Sequence, residues 1–294
     1  MRTLLTFLVI AAVAYLALVA FVYVTQRGQI YFPTPESQHP NAQALWIDSE
    51  GERIKVWVVP RPGSRALLYF GGNAEDVAGN IGQFAEAFPD RSLYLVNYRG
   101  YGGSSGRPTE AGLRADALAV FDHVRRERAG IAVMGRSLGS GVAVQLASER
   151  PVERLVLVTA YDSLVNVASE YFRWLPVGRL LRDRYESATR ANEVESLVLV
   201  VIAGEDEIIS RARSEALAAA FTPGQVQVEV VPGVGHNTLD ESPAYLEAVR
   251  QFLATTGAAS ASTMPDQARL LLRCSFGAAR PLAVRARHGA QRRS

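Results

Sequence analysis

Six short apolar runs constrain the fold of this chain more than any other feature. They lack the alternation of polar and apolar residues that marks a strand with one face in water, so each predicted strand is buried on both faces. Amphipathic segments of about 12–20 residues separate most of them, a pattern that predicts a parallel sheet covered by helices. The runs are 66–70, 92–97, 130–135, 155–159, 197–203 and 225–231.

Two more apolar segments precede these runs and predict an antiparallel start to the sheet. Segments 45–47 and 53–59 flank Asp48-Ser49-Glu50-Gly51, whose composition is typical of a hairpin turn. We therefore expect an α/β fold with a mostly parallel eight-stranded sheet and helices on both faces. The interval between the fourth and fifth runs is too long for a simple crossover and contains the aromatic stretch 171–176. We expect a short helical cap there, at about 161–195, that covers a pocket.

The N-terminal segment 4–24 has no charged residue and is almost wholly apolar. As a helix it is roughly 31 Å long, enough to cross a hydrocarbon core of about 30 Å. A cleaved signal peptide is the alternative, but its apolar region runs about 7–15 residues, and the sequence 17–20 is a poor cleavage site. We expect an uncleaved transmembrane signal anchor over residues 1–26. Arg2 and the amino terminus oppose a lone Arg27, which by the positive-inside rule predicts a domain on the non-cytoplasmic side.

Three further segments complete the predicted organisation. Residues 27–42 hold several prolines and are predicted to form an extended linker. Residues 43–256 are predicted to form the main domain. Residues 257–294 are rich in Ala, Ser and Arg and are predicted to form a disordered basic tail. Contact of that tail with anionic lipid is an alternative.

Charge and cysteine content exclude two classes of function. The chain has 31 basic and 29 acidic residues, a net charge of +2. Residues 257–294 contain seven Arg and one Asp, so the tail carries +6 and the rest of the chain −4. This gives no basis for nucleic-acid binding by the main domain. Cys274 is the single cysteine, which excludes an intrachain disulfide and cysteine-based metal clusters.

The third run leads into Gly135-Arg136-Ser137-Leu138-Gly139, and a helical pattern over 138–149 follows. A strand, a sharp turn and a helix predict that the serine hydroxyl is raised above the sheet. The helix N terminus behind the serine favours developing negative charge. Glycine is needed at both outer positions because side chains there would collide with the strand and the helix that the turn brings together. Ser137 is therefore the candidate nucleophile.

A second match to the same pattern, Gly102-Gly103-Ser104-Ser105-Gly106, lacks this context. Arg107 and Pro108 follow it, so no helix starts directly after Ser104, which we interpret as a loop residue. The stretch also nearly matches a dinucleotide-binding loop, but Ser105 occupies the third glycine position. We expect no cofactor and no metal.

A serine hydroxyl needs a base within hydrogen-bond reach and an acid that orients the base. His236 lies in a glycine-flanked loop after the last run and is the candidate base; a surface loop histidine is the alternative. The other histidines lie in the linker, late in a helical segment and in the tail: His39, His123 and His288. When the nucleophile comes first in the chain and the histidine last, the acid lies between them, which places it after the fifth run. We favour Asp206, with Glu205 and Glu207 as alternatives.

Acyl chemistry also needs donors for an oxyanion. One is expected to be the backbone N–H of Leu138, directly after the candidate nucleophile. The second is expected from Phe70-Gly71-Gly72-Asn73, where glycines allow close backbone approach. The alternative is a plain turn before a helix over 74–88, with Asn73 as its N-cap. Both roles are compatible, since a cap uses the side chain and an oxyanion uses the N–H.

With these motifs in place, the chain resembles the α/β-hydrolase superfamily over roughly residues 43–256. Within it, the chain is similar to a branch of membrane-anchored serine hydrolases grouped with serine aminopeptidases and depalmitoylase-like hydrolases. The similarity is carried by three stretches: 97–106 (NYRGYGGSSG), 108–113 (PTEAGL) and 180–185 (LLRDRY).

The resemblance implies a triad of Ser137, Asp206 and His236, with oxyanion donors from Asn73 and Leu138. The leading hypothesis is a membrane-anchored serine hydrolase that cleaves a small-molecule carboxylic ester or thioester through an acyl-enzyme. An ester or thioester is favoured over a peptide because the predicted cap is short and apolar around residues 171–175. A peptidase or amidase of the same fold is one alternative, and a non-catalytic, membrane-tethered binding module is another.

This chain departs from the pattern of the branch at two places. The branch usually has His-Gly-Asn after the strand that corresponds to 66–70, and here Gly71 stands in the position of the histidine. The acid loop is one residue shorter than usual. The first departure removes a side-chain contact to the pocket but keeps a backbone donor.

Overall fold

A computed structural model of the chain describes residues 1–254. Its strands are β1 (Gln43–Ser49), β2 (Glu52–Val59), β3 (Arg65–Phe70), β4 (Ser92–Val96), β5 (Gly130–Arg136), β6 (Arg154–Val158), β7 (Val198–Ala203) and β8 (Val226–Val231). They form an eight-stranded sheet in the order β1-β2-β4-β3-β5-β6-β7-β8. β2 is antiparallel to β1 and to β4, and the other pairs are parallel. The predicted α/β class and mostly parallel sheet are confirmed.

Helices cover both faces of the sheet. The α-helices of the described residues are α1 (Arg2–Thr25), α2 (Arg27–Ile30), α3 (Ile81–Ala87), α4 (Glu110–Arg125), α5 (Leu138–Glu149), α6 (Leu164–Tyr171), α7 (Val177–Leu180), α8 (Ser187–Arg190), α9 (Arg211–Ala220) and α10 (Pro243–Ala254), and α1 is not part of these layers. On one face, α4, α5 and α9 bury Leu113, Val142 and Leu217. On the other, α3 and α10 bury Phe84 and Tyr245. Both faces of the central strands are thus shielded from water, as their unbroken apolar runs require.

The short helices α6, α7 and α8 follow β6 and precede β7, which confirms a short helical cap. The segment between α7 and α8 packs tightly on α5. A Cβ at Gly141 would lie only 2.7 Å from the ring of Tyr185, whose side chain is fully buried. Glycine in α5 therefore lets the cap approach the helix that follows Ser137.

The segment between α1 and β1 packs against the domain, where an extended linker was predicted. Part of it forms α2, and Tyr31 is buried with its hydroxyl 3.0 Å from that of Tyr185. Lys55 donates a hydrogen bond to Glu36 at 2.8 Å, which holds the proline-containing part against β2. The predicted tail, with Cys274 and His288, lies outside the described residues.

One helix in the described part of the chain, α1, is long and apolar enough to cross a membrane. None of its residues is buried against the rest of the protein.

The predicted hairpin turn is shorter than expected. Asp48 and Ser49 still pair with β2, so the turn consists of Glu50 and Gly51 alone. Both have positive φ, 48° and 82°, which is the backbone that matches the twist of two antiparallel strands.

The predicted helix over 74–88 begins later, and Asn73 is not its N-cap. A 3₁₀ turn at Val77–Asn80 precedes α3, and the carboxylate of Asp76 caps that turn by accepting the N–H of Ala78 at 3.1 Å. The side-chain amide of Asn73 instead donates to the carbonyl of Ile30 at 3.2 Å. Asn73 therefore ties the loop after β3 to the N-terminal segment.

Candidate active site

Ser137 occupies the sharp turn between β5 and α5. Its backbone has φ 50° and ψ −117°, a conformation that costs free energy for any residue with a side chain. A Cβ on Gly135 would lie 2.7 Å from the Cβ of Ala143, and one on Gly139 would collide with the backbone carbonyl of Phe70. The turn therefore closes only with glycine two residues before and two residues after the serine.

The structure brings Ser137, His236 and Asp206 together. The Nε2 atom of His236 lies 3.0 Å from the Oγ atom of Ser137. The Nδ1 atom of the same ring lies 2.9 Å from one carboxylate oxygen of Asp206 and 3.0 Å from the other. The three residues follow β5, β8 and β7, whose carboxyl ends lie at one edge of the sheet. With a carboxylate on Nδ1, the other ring nitrogen is left to accept a proton from the serine.

Asp206 is held in place from the backbone side. One of its carboxylate oxygens accepts the N–H groups of Ile208 and Ile209 at 2.9 and 2.7 Å. Its side chain is 2% exposed and that of His236 is 6% exposed, so the pair is shielded from water. A buried carboxylate with these donors has a single orientation in which to hold the imidazole.

The two alternative acids lie elsewhere in the same loop. Glu205 is exposed, and the contact of Glu207 with His236 is to the backbone, whose N–H it accepts at 3.0 Å. That hydrogen bond lowers the pKa of Glu207 below its ordinary value. The geometry therefore brings Asp206 to the ring and Glu207 to the backbone of the same histidine.

The two expected oxyanion donors lie on either side of Ser137. The N–H of Leu138 is the first of α5, a position that has no acceptor within a helix. On the other side, a Cβ on Gly72 would lie 3.9 Å from that of Ser137, so the loop after β3 approaches the serine closely. The N–H of Gly72 already donates to Glu75 at 2.7 Å, which leaves Asn73 as the next donor along this loop.

Sequence reasoning missed two half-buried charged residues beside the serine. A guanidinium nitrogen of Arg136 donates to the backbone carbonyl of His236 at 3.0 Å and lies 3.6 Å from the carboxylate of Asp240. The carboxylate of Glu75 accepts hydrogen bonds from the hydroxyl of Tyr69 and the N–H of Gly72, both at 2.7 Å. The one available signal for Arg136 was its position inside the Gly-x-Ser-x-Gly turn, but its partners are remote in sequence.

A cavity of about 690 Å³ adjoins Ser137 and His236. Its walls are largely apolar and come from the cap and, unexpectedly, from the N-terminal segment. The main apolar lining residues are Val22, Ile30, Leu164, Val167, Leu175 and Leu180. A largely apolar cavity of this size beside the serine can hold an apolar substrate group.

The second glycine-serine match has a purely structural place in the described chain. The hydroxyl of Ser104 is buried, accepts the N–H of Lys55 at 2.8 Å and donates to the carbonyl of Asn97 at 2.9 Å. Gly102 has φ 54°, so the stretch forms a tight turn. Of the other histidines, His123 lies in α4, and His39 accepts a backbone N–H from Asn41 before β1.

Comparisons with known proteins agree with this architecture. A scan against models of protein families finds no match. An uncharacterised protein of Mycobacterium tuberculosis is 38% identical over 268 residues, covering 84% of this chain and 95% of the relative. The α/β hydrolase domain-containing protein 17C of Xenopus laevis is 32% identical over 202 residues, covering 66% of this chain and 63% of that protein. The chain belongs to the α/β-hydrolase superfamily.

Solved α/β-hydrolase structures share the fold. The Pyrococcus furiosus esterase Pf2001 superposes with a TM-score of 0.61 at 16% identity, covering 76% of this chain and 97% of that one. The enol-lactonase of Burkholderia xenovorans gives 0.57 at 15% identity, covering 72% and 100%. Membership of this superfamily supports a hydrolase activity carried by this fold.

One departure from the α/β-hydrolase branch pattern has a steric explanation. A Cβ at Gly71 would lie 2.8 Å from Val77 and 3.0 Å from the carboxyl carbon of Glu75. These two side chains fill the space that a histidine at position 71 would need. Glycine at position 71 is therefore the residue that fits beside Val77 and Glu75 in this chain.

Proposed function

We propose that this α/β hydrolase is a serine hydrolase that cleaves a carboxylic ester or thioester through an acyl-enzyme. The observation that carries the proposal is the continuous hydrogen-bonded row from Ser137 Oγ through the ring of His236 to Asp206, at 3.0 and 2.9 Å. The alignment matches what a serine nucleophile requires: a base within reach and an acid that orients the base.

The reaction follows from the positions of these groups. Ser137 Oγ attacks the acyl carbon while His236 Nε2 takes its proton, and the carboxylate of Asp206 stabilises the imidazolium. The N–H groups of Leu138 and Asn73 are the proposed donors to the oxyanion, each worth about 2.7–4 kcal/mol in the transition state. His236 then gives its proton to the leaving oxygen or sulfur as the acyl bond breaks. Water, deprotonated by the same nitrogen, releases the acid and restores Ser137.

An ester or thioester is favoured over a peptide by the nature of the cavity. Its walls are mainly aliphatic and aromatic, from Leu164, Val167 and Phe172 among others. A hydrocarbon acyl chain gains about 0.8 kcal/mol for each buried CH₂ group, whereas a peptide would leave its backbone polar groups without partners.

We also propose that α1 is retained as a membrane anchor, with the catalytic domain on the non-cytoplasmic side. Two observations favour retention over cleavage. The residues that follow α1 are built into the domain, since the guanidinium of Arg27 donates two hydrogen bonds to Asp183 at 2.7 and 3.0 Å. Val22, inside α1, is part of the cavity wall. Removal of the apolar segment would open the cavity.

A fluorophosphonate probe tests the nucleophile. The full chain in detergent is expected to be labelled, Ser137→Ala to lose labelling and hydrolysis of p-nitrophenyl butyrate, and Ser104→Ala to keep both. Labelling that persists in Ser137→Ala would overturn the assignment of the nucleophile. A wild-type chain that neither reacts with the probe nor turns over any ester from acetate to palmitate would point to the non-catalytic alternative.

A further inference from the structure

We propose that the tip of the cap, residues 171–175, inserts into one leaflet and that the cavity of Ser137 opens towards the lipid acyl chains. The substrate is then an amphiphile whose acyl chain enters the cavity sideways from the bilayer. This inference rests on the proposed membrane anchoring and on the proposed acyl hydrolysis, and it deepens both.

Two contacts set the register of the cap along α1. The guanidinium of Arg182 lies 5.9 Å from the ring centre of Tyr23, near the C-terminal end of the helix. The hydroxyl of Tyr15 donates to the carbonyl of Trp174 at 3.0 Å. The cap therefore runs beside the helix, from the level of Tyr23 down to the level of Tyr15.

The length of α1 converts this register into depth. At about 1.5 Å per residue, Arg2 and Tyr23 are roughly 32 Å apart along the helix axis, which matches a hydrocarbon core of about 30 Å. An arginine and a tyrosine are also the residue types that favour the two membrane interfaces. Tyr15 lies about 12 Å below Tyr23, and half of the core is about 15 Å. Trp174, bonded to Tyr15, is thus placed among acyl chains.

The surface chemistry of the tip suits that depth. Phe172 and Trp174 are 43% and 52% exposed, an apolar pair that would face water in a soluble protein. Tyr171 is 55% exposed, and its hydroxyl donates to the carbonyls of Glu207 and Ile208 at 3.0 and 2.8 Å, which ties the base of the tip to the loop of Asp206. Arg173 is exposed beside Phe172 and Trp174, and its long side chain allows the charged end to lie closer to the headgroups than its backbone does. Arg179 and Arg182, higher on the cap, are also exposed. Apolar residues below and arginines above match the polarity gradient of a leaflet.

Hydrogen bonds and an ion pair hold the cap against the residues that directly follow α1. The side-chain amide of Gln26 donates to the carbonyls of Tyr23 and Leu180, and its oxygen accepts the N–H of Arg182 at 2.8 Å. The ion pair of Arg27 with Asp183, whose side chain is 4% exposed, lies next to this contact. The cap and α1 therefore enter the membrane as one unit.

The cavity joins this surface to the candidate catalytic serine. Val22 on α1 and Phe172 and Leu175 on the tip line the same cavity as Ser137 and His236. An acyl chain that lies beside α1 can therefore reach Ser137 along an apolar wall, without crossing water. A water-soluble acyl substrate has no such use for a wall made by a transmembrane helix.

Depth-dependent quenching tests the placement of the tip. The full chain carries Cys274→Ser and Trp174→Cys, labelled with an environment-sensitive fluorophore, and is reconstituted in phosphatidylcholine vesicles that contain lipids with a nitroxide on the acyl chain. The control is Glu127→Cys in the same background, an exposed position just before the start of β5, at the opposite edge of the sheet from Ser137. We expect strong quenching at 174 and none at 127. Equal, weak quenching at both positions in a chain that floats with the vesicles would overturn the insertion.

Flotation separates this failure from failure of the anchor. A chain that does not float with vesicles, and that carbonate releases from membranes, would contradict the membrane anchoring itself. In lipid-free detergent no nitroxide is present, so any quenching at 174 comes from a second labelled chain. Such self-quenching would identify a second copy of the chain as the occupant of this surface and would also overturn the insertion.

A substrate comparison tests lateral entry. Trp174 does not line the cavity, so Trp174→Gln is expected to leave hydrolysis of p-nitrophenyl acetate in water unchanged. The same change is expected to lower hydrolysis of a long-chain p-nitrophenyl ester dissolved in vesicles, because the tip no longer inserts. The expected fall in the ratio of the two rates is about tenfold, equivalent to about 1.4 kcal/mol. The matched control is Trp46→Gln, an exposed tryptophan on β1. An unchanged ratio in Trp174→Gln would contradict lateral entry. Loss of both activities in the wild type would instead contradict the proposed hydrolysis.

Discussion

A guanidinium nitrogen of Arg136 donates a hydrogen bond to the backbone carbonyl of His236 at 3.0 Å. The residue before the candidate nucleophile thus positions the loop of the candidate base. The side chain of Arg136 is 14% exposed, and it also lies 4.0 Å from Glu75. One side chain therefore links the turn of Ser137, the loop of His236 and the loop after β3.

Replacement of Arg136 by Met is expected to lower kcat by about 10- to 100-fold on short p-nitrophenyl esters, because a small shift of the imidazole removes alignment with Ser137. KM is expected to change little, and Arg136→Lys to recover part of the loss. Arg211→Met, which removes an exposed arginine paired with Glu215, is the control. An unchanged kcat in Arg136→Met would contradict the positioning role.

The acid assignment predicts unequal effects within one loop. Asp206→Asn is expected to lower kcat by about 10⁴-fold, since an amide that donates to Nδ1 would leave the wrong ring tautomer facing the serine. Glu205→Gln is expected to have little effect, because Glu205 is exposed and does not contact the ring. Steady-state kinetics on p-nitrophenyl butyrate measure both. A larger loss in Glu205→Gln than in Asp206→Asn would refute the assignment.

Glu207 predicts a pH-dependent contribution to stability. Its pKa is lowered in the folded chain by the N–H of His236, so the ionised form is the one that folding favours. The stabilisation is therefore full above the ordinary pKa of Glu and is lost as pH falls through the lowered value. Thermal denaturation in detergent is expected to show a higher Tm for the wild type than for Glu207→Gln at about pH 6, and this difference is expected to shrink as the pH falls below the ordinary pKa of Glu. A difference that grows on acidification would contradict the sign.

The glycines of the serine turn predict opposite outcomes for two Gly→Ala changes. Gly139→Ala is expected to cost about 3 kcal/mol or to prevent folding, because its Cβ would collide with the carbonyl of Phe70. Gly82 lies in α3 with open space around its Cβ position, so Gly82→Ala is expected to gain about 0.5–1 kcal/mol. Denaturant unfolding of the solubilised chain measures both. Equal effects at the two positions would contradict the packing of the turn.

Patterns local in the chain predicted the elements well. The apolar runs predicted the six strands β3 to β8 to within one residue at each end. The helix after Ser137 spans Leu138–Glu149, the range that its pattern predicted. The need for Gly135 and Gly139 could also be predicted from local sequence, because the collisions that they avoid are with neighbouring strand and helix backbone. The error at Asn73 arose where two capping residues compete, because a sequence shows both Asn73 and Asp76 but not which carboxylate or amide meets a free N–H.

The sequence by itself determined the α/β fold, the turn of Ser137 and the apolar length of α1, because each depends on the order of neighbouring residues. Only the tertiary structure decided that Asp206 and not Glu205 or Glu207 meets the imidazole. It alone joined Arg136 to His236 and brought Trp174 beside Tyr15. Those partners are separated by 30, 100 and 159 positions in the chain, and no local pattern encodes a contact that forms only when the sheet and the cap close.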